Sequence, residues 1–171
     1  MALYYSLFKT RWGWFGVLGD ENTLFRTSLP LRNRRSAFAS LLSGVDAKHE
    51  PNYRKDIQKA IQEYFEGKYI DFVWVPVCLG GLTDFQKRVL WVLKSIAYGK
   101  TITYSSLAAQ SGFAKASRAV GRVLAANPLP LIIPCHRVVC SDGKLGGFSA
   151  EGGVEMKRRL LRLENPFCPA Y

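Results

Sequence analysis

The chain has 171 residues, of which 48% are hydrophobic and 22% charged, and its formal net charge at pH 7 is +11. This length and composition fit one large or two small folded domains and exclude a disordered chain. No apolar run approaches the roughly 18 residues of a membrane span, and Lys9 and Arg11 interrupt the pattern of a signal peptide. We therefore expect a soluble intracellular protein.

The basic charge is concentrated in the second half of the chain. Residues 1–82 carry 11 Lys and Arg against 8 Asp and Glu, whereas residues 83–171 carry 13 against 5. A cationic half favours a polyanionic partner such as nucleic acid. A solvated basic surface that aids solubility explains the charge equally well.

Four cysteines are present, and they form no C-x-x-C pair and no even framework. With only two histidines besides, the sequence predicts neither a disulfide set nor a metal site. The residues concerned are Cys78, Cys135, Cys140, Cys168, His49 and His136.

The first part of the chain begins with strand patterns. Residues 2–29 alternate apolar and polar side chains between Gly and Asp punctuation, which predicts an antiparallel meander. Residues 33–44 predict a helix whose inward residues are Phe38, Leu41 and Leu42.

A second helix is predicted over 53–66, where apolar residues recur at helical spacing and Gly67 can end the helix. The apolar run Phe72–Val77 predicts a strand. No residue pattern here indicates chemistry, so residues 1–77 are predicted to form a supporting α+β domain, with 78–82 as the connection.

The second domain, 83–171, opens with a helix. Thr83 stands three residues before Gln86, which is a capping-box signature. The apolar face of this helix is Phe85, Val89, Leu93 and Ile96, and we expect Gly99 to end it.

Two short helices follow, over 104–110 and 115–126, joined by a turn that contains Gly112. This arrangement fits a helix-turn-helix unit whose second helix enters a DNA groove. Two ordinary core helices fit the pattern as well. Basic residues share one stripe of the second helix, namely Lys115, Arg118 and Arg122.

Cys135 and His136 follow an apolar run directly after Pro134. A cysteine nucleophile needs a thiolate, and a nearby histidine is a common way to produce one. A buried, inert thiol is the alternative from this pair alone.

The chain then predicts a short strand at 138–140, a turn at 141–144 and a return loop whose two adjacent glycines permit close approach to a ligand. The last helix is predicted over 151–163. Glu164 shares its apolar face, and because a buried carboxylate needs a partner, His136 is a candidate. An exposed, frayed Glu164 is the alternative.

The run Asn127-Pro128-Leu129-Pro130 … Ile133-Pro134-Cys135-His136-Arg137-Val138-Val139 resembles the active-site signature of the O6-alkylguanine-DNA alkyltransferases, or methylated-DNA–protein-cysteine methyltransferases. The likeness extends to Gly99 … Ile102-Thr103-Tyr104, Ser117-Arg118-Ala119-Val120-Gly121, Gly146-Gly147-Phe148-Ser149 and Leu160-Leu161 … Glu164. It covers roughly residues 83–165. Phe148 stands where many members carry Tyr, and Arg122 where many carry a small residue.

The resemblance implies an α+β fold: a ribonuclease-H-like N-terminal domain followed by a helix-turn-helix, winged-helix-like alkyltransferase domain. It implies direct DNA repair, in which an alkyl group moves irreversibly from the O6 oxygen of guanine, and from O4 of thymine, to Cys135. The implied partner is double-stranded DNA, bound through the minor groove by a monomer able to bind cooperatively. Neither cofactor nor metal is implied, and the expected location is the nucleoid or, in a eukaryote, the nucleus.

The resemblance also assigns roles to residues. The implied catalytic residues are Cys135, His136, Glu164, Tyr104 and Asn127. The implied walls of the flipped-base site are Val138, Gly146, Gly147, Phe148, Ser149, Leu124 and Pro130. The implied DNA contacts are Arg118, as a wedge entering the base stack, with Lys115, Arg122, Ser117 and Ala119.

Three rival functions remain open. A non-catalytic alkyltransferase-like damage binder would lack the cysteine, which is present here. A thiol hydrolase would need a water able to release the intermediate. A plain DNA-binding regulator would not need Cys135, His136 and Glu164 together.

Overall fold

The computed structural model describes residues 2–167, so Cys168 lies outside the described residues. The chain forms two compact units. The first ends at Leu79 and also includes Pro128–Ile132, and the second contains Gly80–Asn127 and resumes at Ile133. Thr27 holds the inserted segment in the first unit, because its amide and hydroxyl donate to the carbonyls of Pro128 (3.0 Å) and Pro130 (2.8 Å).

The first unit contains a four-stranded sheet. Its strands β1 to β4 span, in chain order, Tyr4–Thr10, Gly13–Gly19, Leu24–Thr27 and Lys48–His49. Their order in the sheet is β3-β2-β1-β4. Strands β1, β2 and β3 run antiparallel, which confirms the predicted meander, and β4 pairs parallel to β1.

Helix α1 spans Arg34–Leu42 and begins at Asn33, whose side chain accepts a hydrogen bond from the Ser36 amide. Its inward face confirms the prediction at Leu41, but Phe38 was wrongly predicted to face inward. Ala37 and Leu41 are fully buried at i and i+4, whereas Phe38 is 45% exposed and lies edge-on to Tyr5 at 5.8 Å. Leu42, at the edge of the same face, is half-buried.

Helix α2 spans Lys55–Phe65 and buries four residues of its apolar face: Ile57, Ile61, Tyr64 and Phe65. Gly67 follows it in the left-handed region (φ 92°), and its amide donates to the Tyr64 carbonyl at 2.9 Å. This confirms the predicted end of the helix, because glycine adopts positive φ without steric cost.

The predicted strand at Phe72–Val77 is wrong. The segment is a turn in which the Val75 amide donates to the Phe72 carbonyl at 3.0 Å, and only Val77 bridges to a strand residue, Leu24. Pro76 has no amide to contribute to a strand ladder. The apolar residues of the run are explained by local burial of Phe72 and Val75 instead.

The second unit opens with α3, Asp84–Lys94, and the predicted capping box between Thr83 and Gln86 is present. The helix ends earlier than predicted, with Ser95 as its last cap. Its hydroxyl donates to the Val92 carbonyl at 2.7 Å and its amide to the same carbonyl at 3.1 Å. Gly99 (φ 73°) belongs to the following turn.

Helices α4 (Tyr104–Gln110) and α5 (Ser117–Ala125) form the predicted pair. The connection needs two left-handed residues, Gly112 at φ 86° and Lys115 at φ 76°. Helix α5 buries Val120, Val123 and Leu124 and leaves its other side exposed.

Strands β5 (Ile102–Thr103) and β6 (Val138–Val139) pair in parallel, and β6 confirms the predicted strand. The last helix, α6, spans Gly153–Glu164, beginning two residues later than predicted. Its Val154 is 39% exposed, whereas Leu160 and Leu161 are buried. No helix of residues 2–167 is long and apolar enough to cross a membrane.

Candidate active site

Two tight backbone turns, one before Cys135 and one beginning at it, set the direction of the Cys135 side chain. Pro134 (φ −81°, ψ 69°) makes an inverse γ-turn, closed by the Cys135 amide donating to the Ile133 carbonyl at 2.8 Å. Cys135–Arg137 then form one 3₁₀ turn. Because this turn has three residues, consecutive side chains point in different directions.

His136 and Arg137 converge on Glu164 at the end of α6. His136 Nε2 lies 2.7 Å from Glu164 Oε1, and Arg137 donates through Nε to Oε2 at 2.9 Å and through its terminal nitrogen to Oε1 at 3.0 Å. The Gly99 amide also donates to Oε2 at 3.1 Å. All three ionisable side chains are buried, so the carboxylate is compensated by a bidentate cation and by a histidine.

The protonation of this cluster follows from its contacts. Burial by itself would raise the pKa of Glu164, but His136 and Arg137 hold it well below its ordinary value. Burial lowers the pKa of His136 more than Glu164 raises it. The imidazole is therefore neutral near pH 7, with Nε2–H donating to the carboxylate. Nδ1 then carries the lone pair, and this buried atom has no hydrogen-bond partner among residues 2–167.

The environment of the Cys135 thiol disfavours its ionisation. Burial raises its pKa, and the opposing effects of the Asn127 side chain and the Lys157 charge do not reverse this. Asn127 follows α5 directly and donates through Nδ2 to the Ile133 carbonyl at 2.9 Å. It thereby connects the end of α5 to the turn that presents the thiol.

A cleft of about 540 Å³ opens in front of Cys135. Of the residues singled out in the sequence, eight line it: Tyr104, Ser117, Leu124, Cys135, Gly146, Gly147, Phe148 and Ser149. Gly121, Ala125 and Cys140 also line it and were not predicted to be site residues. Most of these side chains are small, which is what makes room for a planar ligand beside the thiol.

Two of the expected base-site residues lie elsewhere. Among the residues described, the cleft lining includes neither Val138 nor Pro130. The Val138 side chain is fully buried in β6, so only its backbone could serve a ligand. Pro130 lies in the segment of the first unit that Thr27 binds.

The expected DNA-contacting residues lie on or near α5. Lys115, Arg118 and Arg122 are exposed, while Ser117 and Ala119 are half-buried. Arg118 is in the first turn of α5, where a cation is disfavoured by the helix dipole. The fold gains nothing electrostatically from this placement.

Arg137 and Lys157 are the ionisable residues that the sequence reasoning missed. The signal for Arg137 was available, because a buried Glu164 needs compensation and Arg137 adjoins His136 in the motif. Lys157 gave no comparable signal, since it stands among three basic residues of a helix whose other cations are not buried.

Comparisons with known proteins agree with this geometry. The family profile described as the DNA binding domain of 6-O-methylguanine DNA methyltransferase matches residues 84–166. A methylated-DNA–protein-cysteine methyltransferase of Methanosarcina acetivorans is 35% identical over 162 residues, covering 95% of this chain and 98% of the relative. The chain belongs to this family. The resemblance noted in its active-site signature is thereby confirmed.

Two further methyltransferases extend this result. The relative from Methanothermobacter thermautotrophicus is 44% identical over 110 residues, which are 64% of this chain and 60% of that protein. The crystal structure of Mycobacterium tuberculosis OGT in complex with DNA superimposes with a TM-score of 0.78 at 32% identity, covering 98% of this chain and 96% of that one. The mixed α+β fold of this methyltransferase family is thus present, as predicted.

Proposed function

We propose that this protein repairs DNA directly, by moving an alkyl group from the O6 oxygen of guanine in duplex DNA to the sulfur of Cys135, once per molecule. The observation that carries the proposal is the placement of Cys135 at the wall of an open cleft. Behind it lies the buried pair of His136 and Glu164, 2.7 Å apart. The same chemistry extends to O4 of thymine.

The cleft receives the extruded base. Phe148 and Tyr104 offer aromatic surface, and the adjacent Gly146 and Gly147 allow the backbone to approach the base closely. The carbonyls of Cys135 and Val138 accept from the exocyclic amine, and the Ser149 amide approaches O6. Extrusion costs a few kcal/mol, and less where alkylation has already weakened pairing.

Proton transfer starts at His136. With Nε2–H donating to Glu164, the Nδ1 lone pair accepts the thiol proton of Cys135 through a water. The thiolate attacks the alkyl carbon, the C–O bond breaks, and the electron pair passes to the guanine oxygen. Burial raises the pKa of Tyr104, so its hydroxyl stays protonated and can donate to the departing base. Asn127, which follows α5, holds the turn that presents Cys135 through its hydrogen bond to the Ile133 carbonyl.

The product is an S-alkylcysteine. A thioether is a poor leaving group, and Cys135 is consumed by its own reaction. The reaction uses no cofactor, and its only partner is the DNA that carries the alkylated guanine.

Helices α4 and α5 serve as the helix-turn-helix, entering the minor groove with Arg118 as the wedge and Lys115, Arg122, Ser117 and Ala119 beside it. In this proposal the first domain, 1–77, is ribonuclease-H-like and supportive, and 78–82 connect it to the second. Residues 83–171 form a winged-helix-like domain, apart from the segment Pro128–Ile132, which belongs to the first unit. The protein acts as a monomer that is able to bind cooperatively along DNA, in the cytoplasm at the nucleoid or in a eukaryotic nucleus.

The proposal is tested by titrating the protein with excess duplex oligonucleotide that contains O6-methylguanine. We expect methylguanine to disappear until one lesion per protein chain has been repaired, and then to stop. Cys135→Ser should repair none while still binding the duplex. Continued turnover would indicate a hydrolase, and binding by the wild-type protein without repair would indicate a damage binder.

Arg118 and Arg122 offer a matched pair on one helix. Arg118→Ala should slow repair at saturating DNA more than it weakens binding to unmodified duplex. Arg122→Ala should weaken binding and reduce the slope of log affinity against log salt by about one. Equal losses in repair and binding for Arg118→Ala would make it a phosphate contact instead of a wedge.

A further inference from the structure

Lys157 is an unusual buried charge in the second unit. It lies in the middle of α6 with no exposed surface. In the part of the chain that the structure describes, Nζ contacts two backbone carbonyls and an aromatic ring but no carboxylate. It donates to Leu145 O at 2.5 Å and to Gly147 O at 3.4 Å, and it lies 5.7 Å from the centre of the Tyr104 ring. An isolated buried ammonium is costly, so its retention needs a reason.

The two carbonyls belong to the loop that lines the cleft. They flank Gly146, which adopts φ 73° and packs so tightly that a Cβ there would come within 2.9 Å of the Tyr104 hydroxyl. Gly146, Gly147, Phe148 and Ser149 are consecutive in the cleft wall. The ammonium therefore holds the start of the loop whose remainder lines the cleft.

We propose that Lys157 is a positioning residue for alkyl transfer, whose ammonium holds the Leu145 and Gly147 carbonyls so that Phe148 and Ser149 face the extruded base. The inference rests on the proposed function of the cleft. It differs from a role in activating the thiol, because the hydrogen-bonding atoms lie on the loop and not on Cys135.

The hydrogen bonds from the Lys157 ammonium to the Leu145 and Gly147 carbonyls, called the clamp below, depend on pH. Several titratable groups surround Nζ. Tyr104 of α4, Cys135 and His136 of the 3₁₀ turn, and Cys140 after β6 interact electrostatically with it. Burial lowers the pKa of Lys157 to about 8, against the raising effect of the two cysteines. As pH rises through this value, the ammonium loses its charge and the clamp weakens.

The test compares Lys157→Met with Arg159→Met, which removes the same charge from the exposed side of α6. Two rates are measured for each: methyl transfer from methylguanine duplex at saturating DNA, and alkylation of Cys135 by iodoacetamide, which needs no base in the cleft. Lys157→Met should slow transfer by about 100-fold, as a misplacement near 1 Å can, and slow iodoacetamide alkylation by a much smaller factor. Arg159→Met should change neither rate appreciably.

Equal losses in both rates would overturn the inference and assign Lys157 to the thiol, and unchanged transfer would overturn it as well. If the wild-type protein transfers nothing, the proposed function fails and the inference with it. A second measurement requires no variant. Transfer by the wild-type protein at saturating DNA should be level with pH once His136 is unprotonated and should fall above about pH 8, where Lys157 loses its charge. A rate that stays level to pH 9.5 would contradict the clamp.

Discussion

The two units of this chain bury different kinds of polar group. In the residues described, the polar side chains that the first unit buries carry hydroxyl groups and no charge: Ser6, Thr10, Thr27 and Ser28. The second buries, besides the Ser111 hydroxyl and the Cys135 thiol, five acidic or basic side chains: Lys94, His136, Arg137, Lys157 and Glu164. Hydroxyls are satisfied cheaply by nearby backbone, as when Ser28 accepts from the Gly16 amide at 2.9 Å.

Buried charges are different, because desolvation often costs more than the pairing returns. The first unit is therefore stabilised mainly by apolar and aromatic packing. The second unit gives up some stability to hold His136 neutral and to keep Glu164 ionised behind the cleft. Experiments on each unit should distinguish the stability that comes from apolar packing from the stability that depends on buried charges.

The largest effect is expected for Glu164→Gln, which leaves Arg137 buried without its carboxylate. Loss of one partner of a buried ion pair lowers the free energy of unfolding by about 3–5 kcal/mol. We expect a loss of this size for Glu164→Gln when its unfolding is measured by urea denaturation. Glu155→Gln on the same helix is the control: its partial exposure and surface pair with Arg158 predict a change of about 1 kcal/mol or less.

The pH dependence sharpens this result. Because the folded pKa of Glu164 lies below its ordinary value of 4.5, its ionised form contributes stability above that pH, and the contribution is lost as the pH falls below it. The gap between wild type and Glu164→Gln should be constant from pH 6 to 8 and shrink below pH 4.5. A gap that is absent at pH 7 would mean that the cluster is not an ion pair.

His136→Gln removes the general base while keeping a polar side chain. We expect transfer to fall by about 10²–10⁴-fold near neutral pH, with a smaller loss of stability. Burial lowers the pKa of His136, so the wild-type rate should be level from about pH 6.5 to the pH near 8 at which Lys157 loses its charge. The variant rate should rise about tenfold per pH unit, because it then follows the thiolate fraction. Parallel profiles would show that His136 does not handle the proton.

Ile57→Val probes the first unit, where Ile57 is fully buried in α2. Removing one methylene from a packed core costs about 0.5–1.5 kcal/mol. Since no ionisable group takes part, the loss should be the same at pH 5 and pH 8, and transfer by the folded protein should be unchanged. A pH-dependent loss would remove the contrast between the units.

The sequence predicted the elements whose signals are local. The meander, the capping box at Thr83, the glycine that ends α2 and the pair α4–α5 all depend on residues within a few positions of one another. One of the two side-chain partners of Glu164, His136, was also predicted as a candidate, because a buried carboxylate needs a compensating group.

Tertiary packing decided the rest. The apolar run Phe72–Val77 is buried without being a strand, since Pro76 withholds an amide and Val77 bridges only to Leu24. Helix α1 turns Ala37 and not Phe38 inward, a rotation that helical spacing alone does not fix. In the sequence, nothing distinguishes Lys157 from the basic residues beside it. It is buried because the loop at 145–147 covers it in the folded protein, so its burial could not be predicted.

The most direct test of the account asks which sulfur receives the methyl group. Cys135 and Cys140 line the same cleft, but trypsin separates them, since cleavage after Arg137 and Lys144 puts Cys140 in a peptide of its own. After reaction with methylguanine duplex, mass spectrometry should find one added methyl on the peptide that contains Cys135 and none on the peptide 138–144. Methylation of Cys140, or of neither cysteine, would contradict the claim that the His136–Glu164 pair serves Cys135 as the acceptor.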